Sequence, residues 1–439
     1  MREVRPTFWL SLPIVAGMLS HMLMGLVDTI MVGRVGVVPL AASALVNALA
    51  HIPMVFFWGL LSSVSVLAAQ AFGGQRREEA GEVFRHGLVL AIGAGGMILL
   101  SVICLRPFLN RFGQPPEVAR AAGNYLILFG ASMGPALIAH TCKQFSEALN
   151  RPWAPNFLMF AAVLLNVFLN WILIYGHWGF SALGLEGAGW ATLIARFVMA
   201  IALIVYVLTA AALKTFRPNR WWAGFSGDLF RRLLGLGGPV AAQHLLEVSA
   251  FVYAALMMGW ISSDAMASHQ IALSCAATTF MFPLGIAMAT CIRVGQAWGA
   301  RKLKRTRTIG FAGICMAATV MAGFGLIFVT AGEQIANCFV ASPAVARLTA
   351  KLLLIAAVFQ IADGIQVAAI SGLRGVNDVR LPAIIAGCSY WFVAVPLAYV
   401  LAFPVRLGGV GIWIGLAFGL IAAAIGLSWR FHLRTRFAG

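Results

Sequence analysis

The sequence predicts an all-α polytopic membrane protein: twelve transmembrane helices in two pseudo-symmetric six-helix lobes around a central cavity. Three observations carry that prediction. Of 439 residues, 61% are hydrophobic and only 10% are charged, where soluble proteins carry about 25% charge. Apolar runs of about 20 residues, the length a spanning helix requires, recur twelve times. Some sixty residues from Pro13 onward also match, without gaps, a second segment displaced by 226 positions. The mean hydropathy of +0.90 agrees with the first observation.

The apolar runs lie at 8–32, 40–70, 87–106, 121–145, 155–176, 187–210, 235–260, 265–296, 309–330, 348–371, 382–404 and 409–430. Those at 40–70 and 265–296 outrun a bilayer, so they are expected to tilt or to protrude as helix. No succession of alternating ten-residue segments occurs, which argues against a membrane β-barrel. The net charge of +17 would suggest a nucleic-acid partner in a soluble protein. Here the charges are distributed by side. With the N-terminus inside, 23 of the 31 Lys and Arg collect on the inner face and 7 on the outer, with Arg196 within a span. That asymmetry places both termini in the cytoplasm. The basic stretch Arg301 to Arg307 sits between two spans with little chain for a binding domain, so no nucleic acid is expected. The first apolar run lacks a small-residue cleavage site and reads as a retained helix. Seven scattered cysteines without a CxxC pair suggest neither a zinc site nor a disulfide framework.

The polar segment 211–234 reads as a cytoplasmic linker between an N-lobe at 1–210 and a C-lobe at 235–439. Under the 226-residue shift Pro13 meets Pro239, Met31 meets Met257, and Gly59 meets Gly285. Gln70-Ala71-Phe72-Gly73 meets Gln296-Ala297-Trp298-Gly299. Six helices per repeat make a parallel repeat about an axis along the membrane normal. Such lobes are expected to enclose a central substrate site and to rock around it.

Three acidic residues lie well within spans: Asp28, Glu247 and Asp363. A carboxylate there costs about 2.5–3.5 kcal/mol on the lenient insertion scale. Each must face a cavity, find a partner or hold a proton. No Lys or Arg is close in sequence. Proton exchange and Na⁺ binding by clustered oxygens both suit such groups, and so does plain helix-to-helix bonding. Asn166 and Asn170 share one helical face at i, i+4 and are candidates to complete a site with Asp28. Glu247 occupies the repeat position of His21, which sets one titratable group against another. His269 and Gln270 form a polar pair in an apolar run and are candidate cavity-lining residues. Phe359 sits one turn before Asp363, where its ring could meet a cation, core packing being the alternative. Gly411, Gly415 and Gly419 form a close-packing face. Glu147 and Asp378 look like loop-organising charges.

Gly130-Ala131-Ser132-Met133-Gly134 satisfies GxSxG. A hydrolase would need that serine on a strand-to-helix elbow; within a span it would suggest an intramembrane serine protease. No HExxH and no phosphate-binding GxxxxGK[ST] occurs.

The run MGLVDTIMVGRVG from Met24 to Gly36, together with SHQIAL at 268–273, LNVFLNWILIYG at 165–176 and GLRGVND at 372–378, resembles the multidrug and toxic compound extrusion (MATE) family in its bacterial NorM-like branch. The resemblance implies two lobes forming a V, and H⁺- or Na⁺-coupled efflux of amphipathic or cationic compounds across the bacterial cytoplasmic (inner) membrane. It implies functional roles for Asp28, Asn166, Asn170, Glu247 and Asp363, with Na⁺ at Glu247 and Asp363 as one option and no cofactor or other metal. The expected partners are small substrates and membrane lipid, and the expected state is a monomer. A lipid-linked precursor flippase of related fold is the rival. The acidic character of the candidate cavity groups argues against it.

Overall fold

The computed structural model describes residues 3–218, 221, 224–340 and 342–436. Arg2 and Arg220 of the inner basic set, and Asn219, Trp222 and Ala223 of the linker, lie outside the described residues. Among the described residues, twelve helices are long and apolar enough to span a membrane. They are α1 (Val4–Gly33), α2 (Val37–Gly73), α3 (Arg77–Leu105, prolonged by a tighter turn at Arg106–Phe112), α4 (Pro116–Ala148), α5 (Trp153–Tyr175), α6 (Leu185–Thr209), α7 (Gly227–Ile261), α8 (Ser263–Gly299), α9 (Leu303–Phe339), α10 (Pro343–Gly375), α11 (Arg380–Ala402) and α12 (Gly408–Arg436).

Most helices outrun their apolar cores, because hydropathy marks the lipid-compatible part whereas capping sets the helix end. α2, α8 and α9 each have 37 residues, roughly 55 Å at about 1.5 Å per residue, against a hydrocarbon core of roughly 30 Å. Ser262 caps α8 by accepting the Ala265 N–H at 3.0 Å.

The chain forms two compact units. One comprises Met1–Val15 with Ala242–Gly439, the other Ala16–Ala241. The boundaries fall inside α1 and α7, 226 residues apart, which is the offset of the sequence repeat. Each unit therefore contains the start of a helix that continues in the other. In the first unit α1 meets α8 where a Cβ on Gly285 would strike the Val15 side chain and crowd its backbone. In the second, α7 meets α2 where Gly237 lies against the Leu60 backbone. The helix pairs are counterparts under the repeat, although the glycine sits on α8 in one and on α7 in the other.

The helix ends repeat as well. Gln75 and Arg301, also 226 apart, are left-handed at φ 57° and 56°. The matched Gln70 and Gln296 carbonyls accept the N–H of Gly74 and Ala300 at 2.9 and 3.0 Å. Asn150 and Asn377 end α4 and α10 at φ 59° and 62°, a conformation asparagine tolerates well. The glycine face of α12 closes on α11 as its spacing predicts, with Gly411 against Leu401, Gly415 against Ala398 and Gly419 against Ala394.

At the start of α1, Glu3 bonds Arg293 of α8 and, at 3.0 Å, Arg305 of α9, all within the first unit. The second unit carries a counterpart of inverted sign: Arg232 of α7 bonds Glu79 of α3 at 3.3 Å, and position 79 maps onto 305 under the repeat. Burial pushes the Glu3 carboxyl up, but the hydrogen bonds and charges of Arg305 and Arg293 outweigh it and hold it below its ordinary value of 4.5.

A depressed carboxyl contributes stability above its unfolded value and loses it as pH falls through the folded one. Glu3→Gln is expected to lower Tm at neutral pH. Its deficit relative to wild type should shrink as pH drops below about 4.5, as read by thermal unfolding in detergent. A deficit that does not change with pH would show that Glu3 acts without its charge.

Candidate functional site

Each unit carries its own polar centre inside the apolar spans. In the second unit Asp28 of α1 lies five residues before the helix end. Asn170 of α5 donates to Asp28 Oδ1 at 2.5 Å and to Asn166 Oδ1 at 3.1 Å, using both amide hydrogens. Asn166 Nδ2 lies 3.5 Å from Thr192 Oγ1 of α6. Both asparagines are fully buried, and the i, i+4 spacing is what lets one bond the other. Asn170 Oδ1 has no partner, which leaves a carbonyl oxygen available beside the carboxylate. Asp28 is not remote from positive charge: Arg196 of α6 is within electrostatic reach. Arg196 also donates to Ser132 Oγ at 2.7 Å and lies 5.0 Å over the Phe129 ring. Ser132 in turn donates to the Phe129 carbonyl at 2.6 Å. The serine of the GxSxG match thus bonds an arginine of α6 and a carbonyl of its own helix.

In the first unit the centre is built by α7, α10 and α11. Tyr390 OH lies 3.0 Å from Glu247 Oε1 and 2.9 Å from Gln366 Oε1. Gln243, one turn before Glu247, is hydrogen-bonded to it and accepts from Arg374 Nη2 at 2.7 Å. Asp363 lies one turn before Gln366, 8% exposed and within electrostatic range of Glu247. Gln360, a turn earlier, accepts from Thr279 of α8 and leaves its Nε2 without a partner.

Tyr390 reaches this centre from a widened π turn, Ser389–Ala394, closed by the Val395 N–H on the Tyr390 carbonyl. Pro396 follows. It has no N–H to give and crowds the carbonyl four residues back, so the regular ladder opens ahead of it. The geometry has a chemical consequence. One phenolic hydrogen cannot serve two acceptor oxygens. Either Glu247 is protonated and donates to Tyr390, which donates to Gln366, or the Gln366 amide turns and Tyr390 donates to an ionised Glu247. The two arrangements differ by one proton and by a turn of the Gln366 amide.

The remaining candidates separate. Phe359 is buried against Phe251 and Trp413, with ring centres 6.2 and 5.5 Å away. His269 is buried and accepts from Trp413 Nε1 at 3.1 Å, while its neighbour Gln270 is exposed. One helical step thus divides the polar pair. His21 meets Trp58 edge-on at 5.0 Å within its own unit, whereas Glu247 bonds Tyr390 and Gln243. The repeat aligns the two positions, but their surroundings differ. Glu147 is fully buried, bonded to Lys143 at 3.1 Å and Asn156 at 2.9 Å, and Asp378 is bonded to Arg430. The reading by sequence missed Tyr390, Gln243, Gln366, Thr192 and Arg374. Gln366 had a usable signal, at i+3 from Asp363. Tyr390 had none, since its reach depends on the π turn.

A family model described as MatE matches residues 13–172 and 239–400, two segments whose starts are again 226 residues apart. The chain is 37% identical over 440 residues to the "Probable multidrug resistance protein NorM" of Rhodopseudomonas palustris, covering 99% of this chain and 93% of that one. It is 34% identical over 444 residues to the "Multidrug resistance protein NorM" of Burkholderia vietnamiensis, covering 99% and 95%. Among solved structures, a MOP superfamily transporter from Pyrococcus furiosus superposes with a TM-score of 0.91 at 21% identity, covering 99% of this chain and 96% of that one. A eukaryotic MATE transporter superposes at 0.87 and 20%, covering 100% and 98%. These two likenesses establish the all-helical fold.

Removing the Tyr390 hydroxyl strips a partner from both Glu247 and Gln366, at about 1–3 kcal/mol for each buried group left unsatisfied. A double-mutant cycle of Tyr390→Phe with Glu247→Gln, read by thermal unfolding, is expected to show coupling of about 0.5–3 kcal/mol. Strictly additive effects would mean that the two groups do not share a proton.

Proposed function

The chain belongs to the MatE family, and from that membership we propose that it is a cation-coupled multidrug efflux antiporter, exporting amphipathic or cationic compounds in exchange for H⁺ or Na⁺. The names of the NorM relatives support multidrug export. The observation that carries the coupling is the set of carboxylates inside apolar helices: Asp28 and Glu247 have hydrogen-bond partners able to accommodate a change of charge, and Asp363 lies within electrostatic range of Glu247. In the first unit a proton would sit on Glu247 or Asp363. Na⁺ would instead take oxygens from Glu247, Asp363, Gln366 and Tyr390. In the second unit Asp28, Asn170 and Asn166 offer a carboxylate and a free amide oxygen.

In this reading the protein works by alternating access in the bacterial inner membrane, with both termini cytoplasmic, as a monomer, without cofactor and without catalysis. Substrate loads from the cytoplasm, and an external cation then neutralises the carboxylates and displaces it outward. A cation can drive this only through unequal affinity for the two states.

Glu247→Gln and Asp363→Asn are each expected to reduce drug resistance to that of cells lacking the transporter, with normal expression. Asp28→Asn is expected to alter ion dependence in proteoliposomes where pH and Na⁺ gradients are imposed separately. Normal efflux by both C-lobe variants would rule out carboxylate coupling.

A further inference from the structure

A groove of about 370 Å³ runs between α2, α3 and α4 in the second unit. Ala50 and Phe57 form one wall, Met97 and Leu105 another, and Leu126 and Met133 the floor. Its one hydroxyl side chain, Ser101, is bonded to the Met97 carbonyl at 2.8 Å. A pocket for a small drug places a few polar groups to fix orientation; this one offers none free. The α3 wall lies on the outside of the helix bundle, with Met97 58% and Leu100 63% exposed, so the groove opens sideways to where lipid tails lie. From Met97 to Leu105 it follows the helix for roughly 12 Å at about 1.5 Å per residue.

The end of the groove is basic. Leu105 is followed by Arg106, whose Nε lies 3.6 Å from where a Cβ on Gly123 would stand. Gly123 is one turn from Leu126, so the guanidinium continues the line of the groove along α4. It is held there by one hydrogen bond, Nη2 to Asn124 Oδ1 at 2.7 Å, and Asn124 in turn donates to Glu186. Arginine has five N–H donors, so others remain. Arg111 lies 5.1 Å over the Phe108 ring on the same short turn, and Arg120 begins the next helix. Arg106, Arg111 and Arg120, three of the seven basic residues on the poorly basic face, thus fall within 15 positions of sequence just beyond the groove-lining Leu105.

We propose that this groove binds an anionic phospholipid, with one acyl chain between α2, α3 and α4 and the phosphate on Arg106 and Arg111. Guanidinium groups match phosphate oxygens in a bidentate fork. An apolar slot ending in such groups recognises a tail and a negative headgroup together.

The test is native mass spectrometry of the delipidated full chain, titrated with phosphatidylglycerol or phosphatidylcholine. Preferential retention of one phosphatidylglycerol is expected. Arg106→Gln and Arg111→Gln should each weaken it about fivefold, the effect of one basic residue near an anionic surface. Ser101→Trp, which fills the groove from its exposed rim, should weaken it with both arginines intact. Equal retention of the two lipids would overturn the proposal, as would wild-type retention by the double arginine variant or by Ser101→Trp. Competition by glycerophosphoglycerol on equal terms with the intact lipid would also overturn it, because binding would then need no groove.

Discussion

Hydrocarbon neither hydrates a charge nor hydrogen-bonds an amide, and the rest of this structure follows from that constraint. It makes every spanning segment a helix. It also requires each polar side chain inside a span to find its partner within the protein. Asp28 does so through Asn170, and Glu247 through Tyr390 and Gln243. Arg196, inside α6, is likewise held by Ser132 and the Phe129 ring. Two groups left without a partner, Asn170 Oδ1 and Gln360 Nε2, belong to a residue bonded to Asp28 and to one a turn before Asp363.

The internal repeat organises these centres without making them alike. The same offset of 226 residues appears in the prolines of α1 and α7, in the left-handed helix ends, in the unit boundaries and in the matched family segments. Backbone constraints have kept the two halves in register. Charges have not followed. Glu3 faces Arg305 where Arg232 faces Glu79, so either polarity closes an ion pair at the start of a shared helix. The carboxylate centres differ too. One draws on asparagines of α5, the other on α10 and a π turn of α11. Gly237 lets α7 approach the Leu60 backbone of α2, and Gly285 lets α8 close on Val15 of α1.

Much of the fold was legible in the residues. Twelve apolar runs became twelve helices because run length against bilayer thickness leaves few alternatives, and Gly411, Gly415 and Gly419 foretold a close contact because small residues at that spacing serve little else. Asp28, Glu247 and Asp363 stood out because a carboxylate in an apolar run is costly, and the i, i+4 spacing that lets Asn170 bond Asn166 is visible in the sequence because it is local to one helix. Contacts that join separate helices were not legible. Arg374 lies beyond the apolar run 348–371, and nothing in the sequence links it to Gln243 of α7, which it bonds from the last turn of α10. His269 and Gln270 looked like one polar feature until helix packing buried the first and exposed the second.

By itself, then, the sequence determined which segments span, which of their residues are too polar to be there without cause, and the register of the repeat. Those depend on transfer energies and on spacing along a single helix. Only the tertiary structure decided which helix supplies each partner, since that turns on rotation and kinking. The π turn ahead of Pro396 aims Tyr390 between Glu247 and Gln366. A regular helix would rotate that side chain away, and no pattern of apolar residues records the difference.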